Sequence, residues 1–116
     1  MTQLKGQLAE DQACDYLKKQ GLKCLMRNYR CNLGEIDLIM QDKNDLVFVE
    51  VRFRADENHG NALESISYFK QQKLIKTALH YLCKNKLVEK VACRFDVIAL
   101  DNSNILWFKD AFQVDQ

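Results

Sequence analysis

Proline is absent from the 116 residues, and glycine occurs only at positions 6, 21, 34 and 60. Chain reversals must therefore rest on those glycines and on Asn/Asp clusters. Long apolar runs are missing too, so no segment approaches the length of a membrane-spanning helix and no membrane partner is expected. The opening stretch MTQLKGQLAEDQACDYLKK carries charges throughout and lacks the apolar centre of a signal peptide. Nor is there an excess of one charge: 17 basic residues face 16 acidic ones, a net of +1. That balance excludes a histone-like binder but not a local basic face. The five cysteines, at 14, 24, 31, 83 and 93, contain no CxxC pair. They are expected to be reduced, mostly packed thiols of a cytoplasmic protein. No repeat, linker or low-complexity tract interrupts the chain, and a homodimer is not readable from it.

What is present is enough apolar material, 47% of residues, for one α/β domain over residues 1–116. Residues 2–20 have helical periodicity, stopped by Gly21. Gly6, Glu10, Ala13, Cys14 and Leu17 fall on one stripe of that helix, so Glu10 need not face solvent. Residues 22–31, 34–41 and 46–53 read as three strands, the last two joined by the polar turn DKND. A polar loop with His59 and Gly60 follows. A second helix, capped by Ser65, is expected to run to about Asn85. Residues 91–100 are nearly continuous in apolar side chains, as expected of a strand buried on both faces, and ILWF at 105–108 makes a short last strand. The predicted fold is an αβββαβ core with a mixed sheet. Its first three strands are antiparallel, and the helical connection to the fourth is a parallel crossover.

The second and third strands carry the chemistry. A turn centred on Lys43 and Asn44 pairs Met40 with Val47, Leu38 with Val49 and Ile36 with Val51, all apolar, on the core face. On the other face it pairs Gln41 with Leu46, Ile39 with Phe48, Asp37 with Glu50 and Glu35 with Arg52. Two carboxylates whose Cβ atoms lie roughly 4.5–5.5 Å apart repel each other and need a positive partner. Arg52 is one candidate. A divalent cation is the other, because Mg²⁺ typically takes one or two carboxylates and completes its shell with water and phosphate oxygens. The spacing also allows an ordinary polar sheet face with a Glu35–Arg52 salt bridge. Asp96, inside the apolar fourth strand, reads as a structural acid paired with Arg94 or Arg30.

The stretches GEIDLIM…LVFVEVRFR, KGQLAEDQACDYLKKQGLKCLMRNYR before them and GNALESISYFKQQKLIKTALHYL after them resemble the YraN-like family of small bacterial proteins. The resemblance covers most of the chain and implies the PD-(D/E)xK nuclease superfamily, with a restriction-endonuclease-like fold shared with Holliday-junction resolvases. It implies that Asp37 is the first catalytic acid, and that Glu50 and Arg52 stand where the acid and lysine of the E-x-K element lie. It further implies that Glu10 joins Asp37 and Glu50 at a Mg²⁺ or Mn²⁺ site. Glu35 belongs to the GEID signature with no clear role, and Ala9 stands where the family often has glycine. The departure that matters is Arg52 in place of lysine. Arginine can hold charge beside a phosphate but does not shed a proton. Lys73 is a candidate to approach the site from the second helix.

Residues 65–88 contain no acid. Lys70, Lys73, Lys76, His80 and Lys84 share a face that suits DNA phosphates, or is simply solvated. Two functions are expected to compete. One is a metal-dependent endonuclease hydrolysing phosphodiester bonds in structured DNA. The other is a nuclease fold that binds nucleic acid or a protein partner with little or no cleavage.

Overall fold

The computed structural model describes residues 2–54 and 63–114. The expected loop around His59 and Gly60 lies outside the described residues. Helix α1 (Thr2–Lys19) leads into strands β1 (Lys23–Cys31), β2 (Gly34–Asp42) and β3 (Asp45–Phe53). Helix α2 (Tyr68–Lys84), β4 (Cys93–Leu100) and β5 (Ile105–Phe112) complete the order. The five strands lie side by side in chain order. β1, β2 and β3 pair antiparallel, β3 and β4 parallel, and β4 and β5 antiparallel. This is the expected αβββαβ core with an edge strand added. β5 is longer than ILWF and reaches Phe112, which stacks on Phe95 with ring centroids 5.0 Å apart.

Each helix covers one face of the sheet. The small and apolar stripe of α1 (Ala9, Ala13, Cys14 and Leu17) packs on Leu38, Met40, Val47, Val49, Ile98 and Leu100. On the opposite face, α2 lays Leu74 and Ala78 on Ile39, Phe48, Phe95 and Val97. β4 therefore contributes to both cores, which explains its nearly continuous apolar run. α1 ends as Gly21 predicts. Gly21 adopts φ +99° and donates to Lys18 O, while Leu22 N donates to Leu17 O, so the last carbonyls of the helix are satisfied. The cap of α2 is Ser67, two residues later than expected, with its Oγ accepting from Lys70 N at 3.1 Å. All five cysteines are free; Cys83 and Cys93 are exposed rather than packed.

Asp96 is the structural acid the sequence suggested. Its buried carboxylate accepts from Arg94 Nε at 3.1 Å, from the Trp107 indole at 2.9 Å and from the Asp110 backbone N–H at 2.9 Å. A buried charge with this many donors is a satisfied one. Arg94 also bonds Asp42 at 2.9 Å, so one guanidinium joins β2 and β4.

Gly34, the first residue of GEID, has a steric reason. A Cβ there would lie 2.8 Å from Thr77 Oγ1, and φ is +155°. Thr77 is fully buried and donates to Lys73 O at 2.8 Å, so it has no room to yield. Gly34→Ala is therefore expected to destabilise the protein by about 1–3 kcal/mol. Thermal denaturation checks this; an unchanged midpoint would mean that α2 does not need the close approach.

Candidate active site in the split between β2 and β3

The register predicted for β2 and β3 is found from the turn as far as Leu38 and Val49, but the expected pairs Ile36–Val51, Asp37–Glu50 and Glu35–Arg52 beyond them are not strand partners. Asp42 pairs with Asp45, Gln41 with Leu46, Met40 with Val47, Ile39 with Phe48 and Leu38 with Val49. Below Leu38 and Val49 the two strands part company. β2 continues along β1, pairing Ile36 with Tyr29 and Glu35 with Arg30. β3 continues along β4, pairing Val51 with Ile98 and Arg52 with Ala99. Asp37 sits at the head of this split. Its Oδ2 accepts the Val51 N–H at 2.8 Å, a side-chain bond where strand pairing would otherwise continue.

The alternation of faces also slips here. Leu38 belongs to the α1 core, but Ile36 lies with Ile39 in the α2 core, not with Leu38 as the simple register required. On β1 the matching slip occurs at Asn28, in the left-handed conformation at φ +54°, between Arg27 on the α1 side and Tyr29 on the α2 side. Asparagine tolerates this conformation better than most residues. The shift turns the strand edge so that the Asp37 carboxylate enters the split.

The electrostatics follow from this placement. Asp37 and Glu50 are hydrogen-bonding neighbours, and the Asp37 pKa is pushed up to about 7 by burial, then by the charge of Glu50. The Val51 N–H pulls the other way, too weakly to compensate. Glu50 is buried and has two cations, Arg52 Nη2 at 3.2 Å and Lys70 Nζ at 3.8 Å, both on Oε2. Arg52 Nε is buried and has no hydrogen-bond partner among the described residues. The pKa of Glu10, reaching in from α1, is raised by burial and by Asp37, while a hydrogen bond from Asn28 and the charge of Arg27 hold it back. Glu10, Arg27, Asn28, Arg30 and Glu35 line an open cleft of about 800 Å³.

The expected site residues thus divide. Asp37 and Glu50 converge, Arg52 joins Glu50, and Glu10 faces the same region across the cleft. Glu35 does not pair with Arg52; it pairs with Arg30, its neighbour on β1, at 3.4 Å. Among the basic residues of α2, Lys70 rather than Lys73 reaches the acids. Lys73 lies at the Phe69 ring, 5.8 Å from its centroid. Lys76 and Lys84 stay on the exposed face, whereas His80 turns inward and shares a hydrogen bond with the Tyr29 hydroxyl. Two contributors are not apparent from the sequence: Lys70 as a partner of Glu50, and Asn28 as a partner of Glu10. An asparagine inside a strand-like run is the available signal for the second, since asparagine is depleted in strands.

Among the described residues no three Asp, Glu, His or Cys side chains gather closely enough to hold a metal ion by themselves. The pair Asp37–Glu50 still fits a hard divalent cation. Burial first and the Glu50 charge second raise the proton affinity of Asp37, and a cation held between the two carboxylates would offset both. Such a pair suits an ion that takes its remaining ligands from water and a phosphate.

The model of the uncharacterised protein family UPF0102 matches residues 9–100. The chain belongs to this family. The YraN-like resemblance carried by GEID and VEVRFR therefore holds. A UPF0102 protein of Legionella pneumophila (strain Philadelphia 1) is 52% identical over 114 residues, covering 97% of each chain. One from Nitrosococcus oceani is 47% identical over 115 residues, 96% of this chain and 93% of its own. One from Coxiella burnetii (strain RSA 331) is 46% identical over 116 residues, 99% and 97%. No helix among the described residues of this UPF0102 member is long and apolar enough to cross a membrane.

Proposed function

We propose that this UPF0102 protein is a metal-dependent endonuclease that hydrolyses phosphodiester bonds in structured DNA. The observation that carries the reading is the Asp37–Glu50 pair in the split of the sheet, with the Asp37 pKa raised to about 7 by burial and by its acidic neighbour. The resemblance to resolvase-type nucleases supports the substrate class.

Asp37 and Glu50 would hold Mg²⁺ or Mn²⁺, and Glu10 would act on it through water. A divalent cation so held polarises the scissile phosphate and lowers the pKa of an attacking water. Arg52 orients Glu50 through Nη2 and holds its guanidinium charge beside the place a phosphate would take. Lys70, from the first turn of α2, would supply the cation able to give up a proton, which arginine does not. The roles of E-x-K are thereby shared between two side chains from different elements. A second reading, a binding module without cleavage, draws on the same contacts: Glu50 is already neutralised by two protein cations.

The test is a cleavage screen with Mg²⁺ and Mn²⁺ over duplex, single-stranded, flap and four-way-junction DNA, using the parent and Glu50→Gln. Metal-dependent nicking of at least one branched substrate by the parent, lost in Glu50→Gln, is expected. Binding without nicking on every substrate would favour the second reading.

A further inference from the structure

Two adjacent aromatic side chains stand outside both cores. Phe69 is 74% exposed and Tyr68 63% exposed, on the first turn of α2. Isolated apolar side chains on a surface need no explanation, but two large, highly exposed rings within one helical turn do. Their surroundings are cationic. The first turn of α2 holds no acid, and Lys73 Nζ lies 5.8 Å from the Phe69 centroid. Arg30, Lys70 and Lys73 line a cleft of about 370 Å³ beside Gly34 and Glu35. Lys70, next in the chain to Phe69, is the residue whose ammonium reaches Glu50. Phe69 is thus one peptide bond from a residue of the candidate active site.

We infer that Phe69, with Tyr68 beside it, is a stacking platform for an unpaired base, and that single-stranded DNA is the occupant of this surface. A single strand offers a planar π face and a phosphate at every step, matching a ring flanked by lysines. A blunt duplex hides its base faces within its own stack, so it can meet the lysines but not the ring. The inference rests on the nucleic-acid part of the proposed function, not on cleavage. It adds that the unpaired portion of a structured DNA is what the site engages.

The test is fluorescence anisotropy in EDTA at low salt, so that binding is read without metal or hydrolysis. The probes are a labelled single strand, a blunt duplex of the same sequence and an abasic strand of the same length. The proteins are the parent, Phe69→Ala, Phe69→Trp and Lys73→Gln, each checked for folding by circular dichroism. Phe69→Ala is expected to weaken single-strand binding about ten-fold, leaving duplex and abasic binding unchanged. Phe69→Trp should restore it. Lys73→Gln should weaken all three and lower the salt slope. Equal loss on the abasic strand, or no loss on the single strand, would overturn the platform. So would a parent that binds no oligonucleotide, which would leave the rings to a protein partner. A parent that binds as expected but never nicks DNA would instead count against the proposed hydrolysis alone.

Discussion

Asp37→Asn is expected to make the metal-free protein more stable above pH 7 and to leave it unchanged near pH 4. The folded protein holds the Asp37 proton up to about pH 7, whereas the unfolded chain releases it near 3.8, the ordinary value for aspartate. Between those values the folded state binds more protons, so the parent loses stability as pH rises through the window. Asparagine keeps an oxygen for the Val51 N–H and removes the charge that Glu50 opposes. A tenfold difference in proton affinity between folded and unfolded chain corresponds to about 1.4 kcal/mol, and Asp37 is only half-buried. An advantage of roughly 2–4 kcal/mol for Asp37→Asn at pH 8 is therefore expected, falling to none near pH 4. The Glu10 pKa is raised in the same direction, by burial and then by the Asp37 charge, so Asp37→Asn also relieves Glu10 and adds to the advantage at high pH. Urea denaturation of both proteins across pH 4 to 8.5 checks this. A difference that does not vary with pH would mean that Asp37 carries no repulsion. Added Mn²⁺ should reverse the order by stabilising the parent alone.

The second large effect concerns the shared cation role. Arg52→Gln is expected to lower metal-dependent cleavage about 10²–10³-fold, the usual loss when one electrostatic donor to a transition state is removed. Arg52→Lys should keep or improve it, since lysine also places a cation on a long stem beside Glu50. Lys70→Gln should lower the rate as well, because Lys70 shares Glu50 Oε2 with Arg52. Single-turnover rates on the substrate found by the screen decide this. A glutamine variant of Arg52 that cleaves like the parent would remove Arg52 from the chemistry and leave it as a partner of Glu50. If the protein binds DNA without cutting it, Arg52→Gln should instead reduce affinity and flatten its salt dependence.

The pairing of β2 with β3 is legible in the sequence because two continuous apolar runs, Leu38 to Met40 and Leu46 to Val49, flank the short polar turn from Asp42 to Asp45, and a hairpin's turn fixes its register. The slip below Leu38 is not. It depends on Asn28 of β1 and on a side-chain bond from Asp37 to the backbone of Val51, neither of which strand periodicity encodes. Periodicity alone therefore places Ile36 in the wrong core, and pairs Glu35 with Arg52 rather than with Arg30. On α2 the spacing of the lysines is visible, but not which of them meets the sheet. That is set by where the helix starts, and Ser67 rather than Ser65 starts it. The exposure of Tyr68 and Phe69 is hidden for a related reason: aromatics near a helix start read as core until the packing shows otherwise.

Calorimetric titration of Mn²⁺ into the purified parent, Asp37→Asn and Glu50→Gln, at pH 6 and pH 8, bears most directly on the Asp37–Glu50 pair as a cation site. The parent should bind one ion, more tightly at pH 8 than at pH 6, because Asp37, with its raised pKa, must lose its proton first. Both variants should bind markedly more weakly, and Asp37→Asn should lose most of the pH dependence. Equal binding by all three proteins, or none by the parent at pH 8, would contradict it.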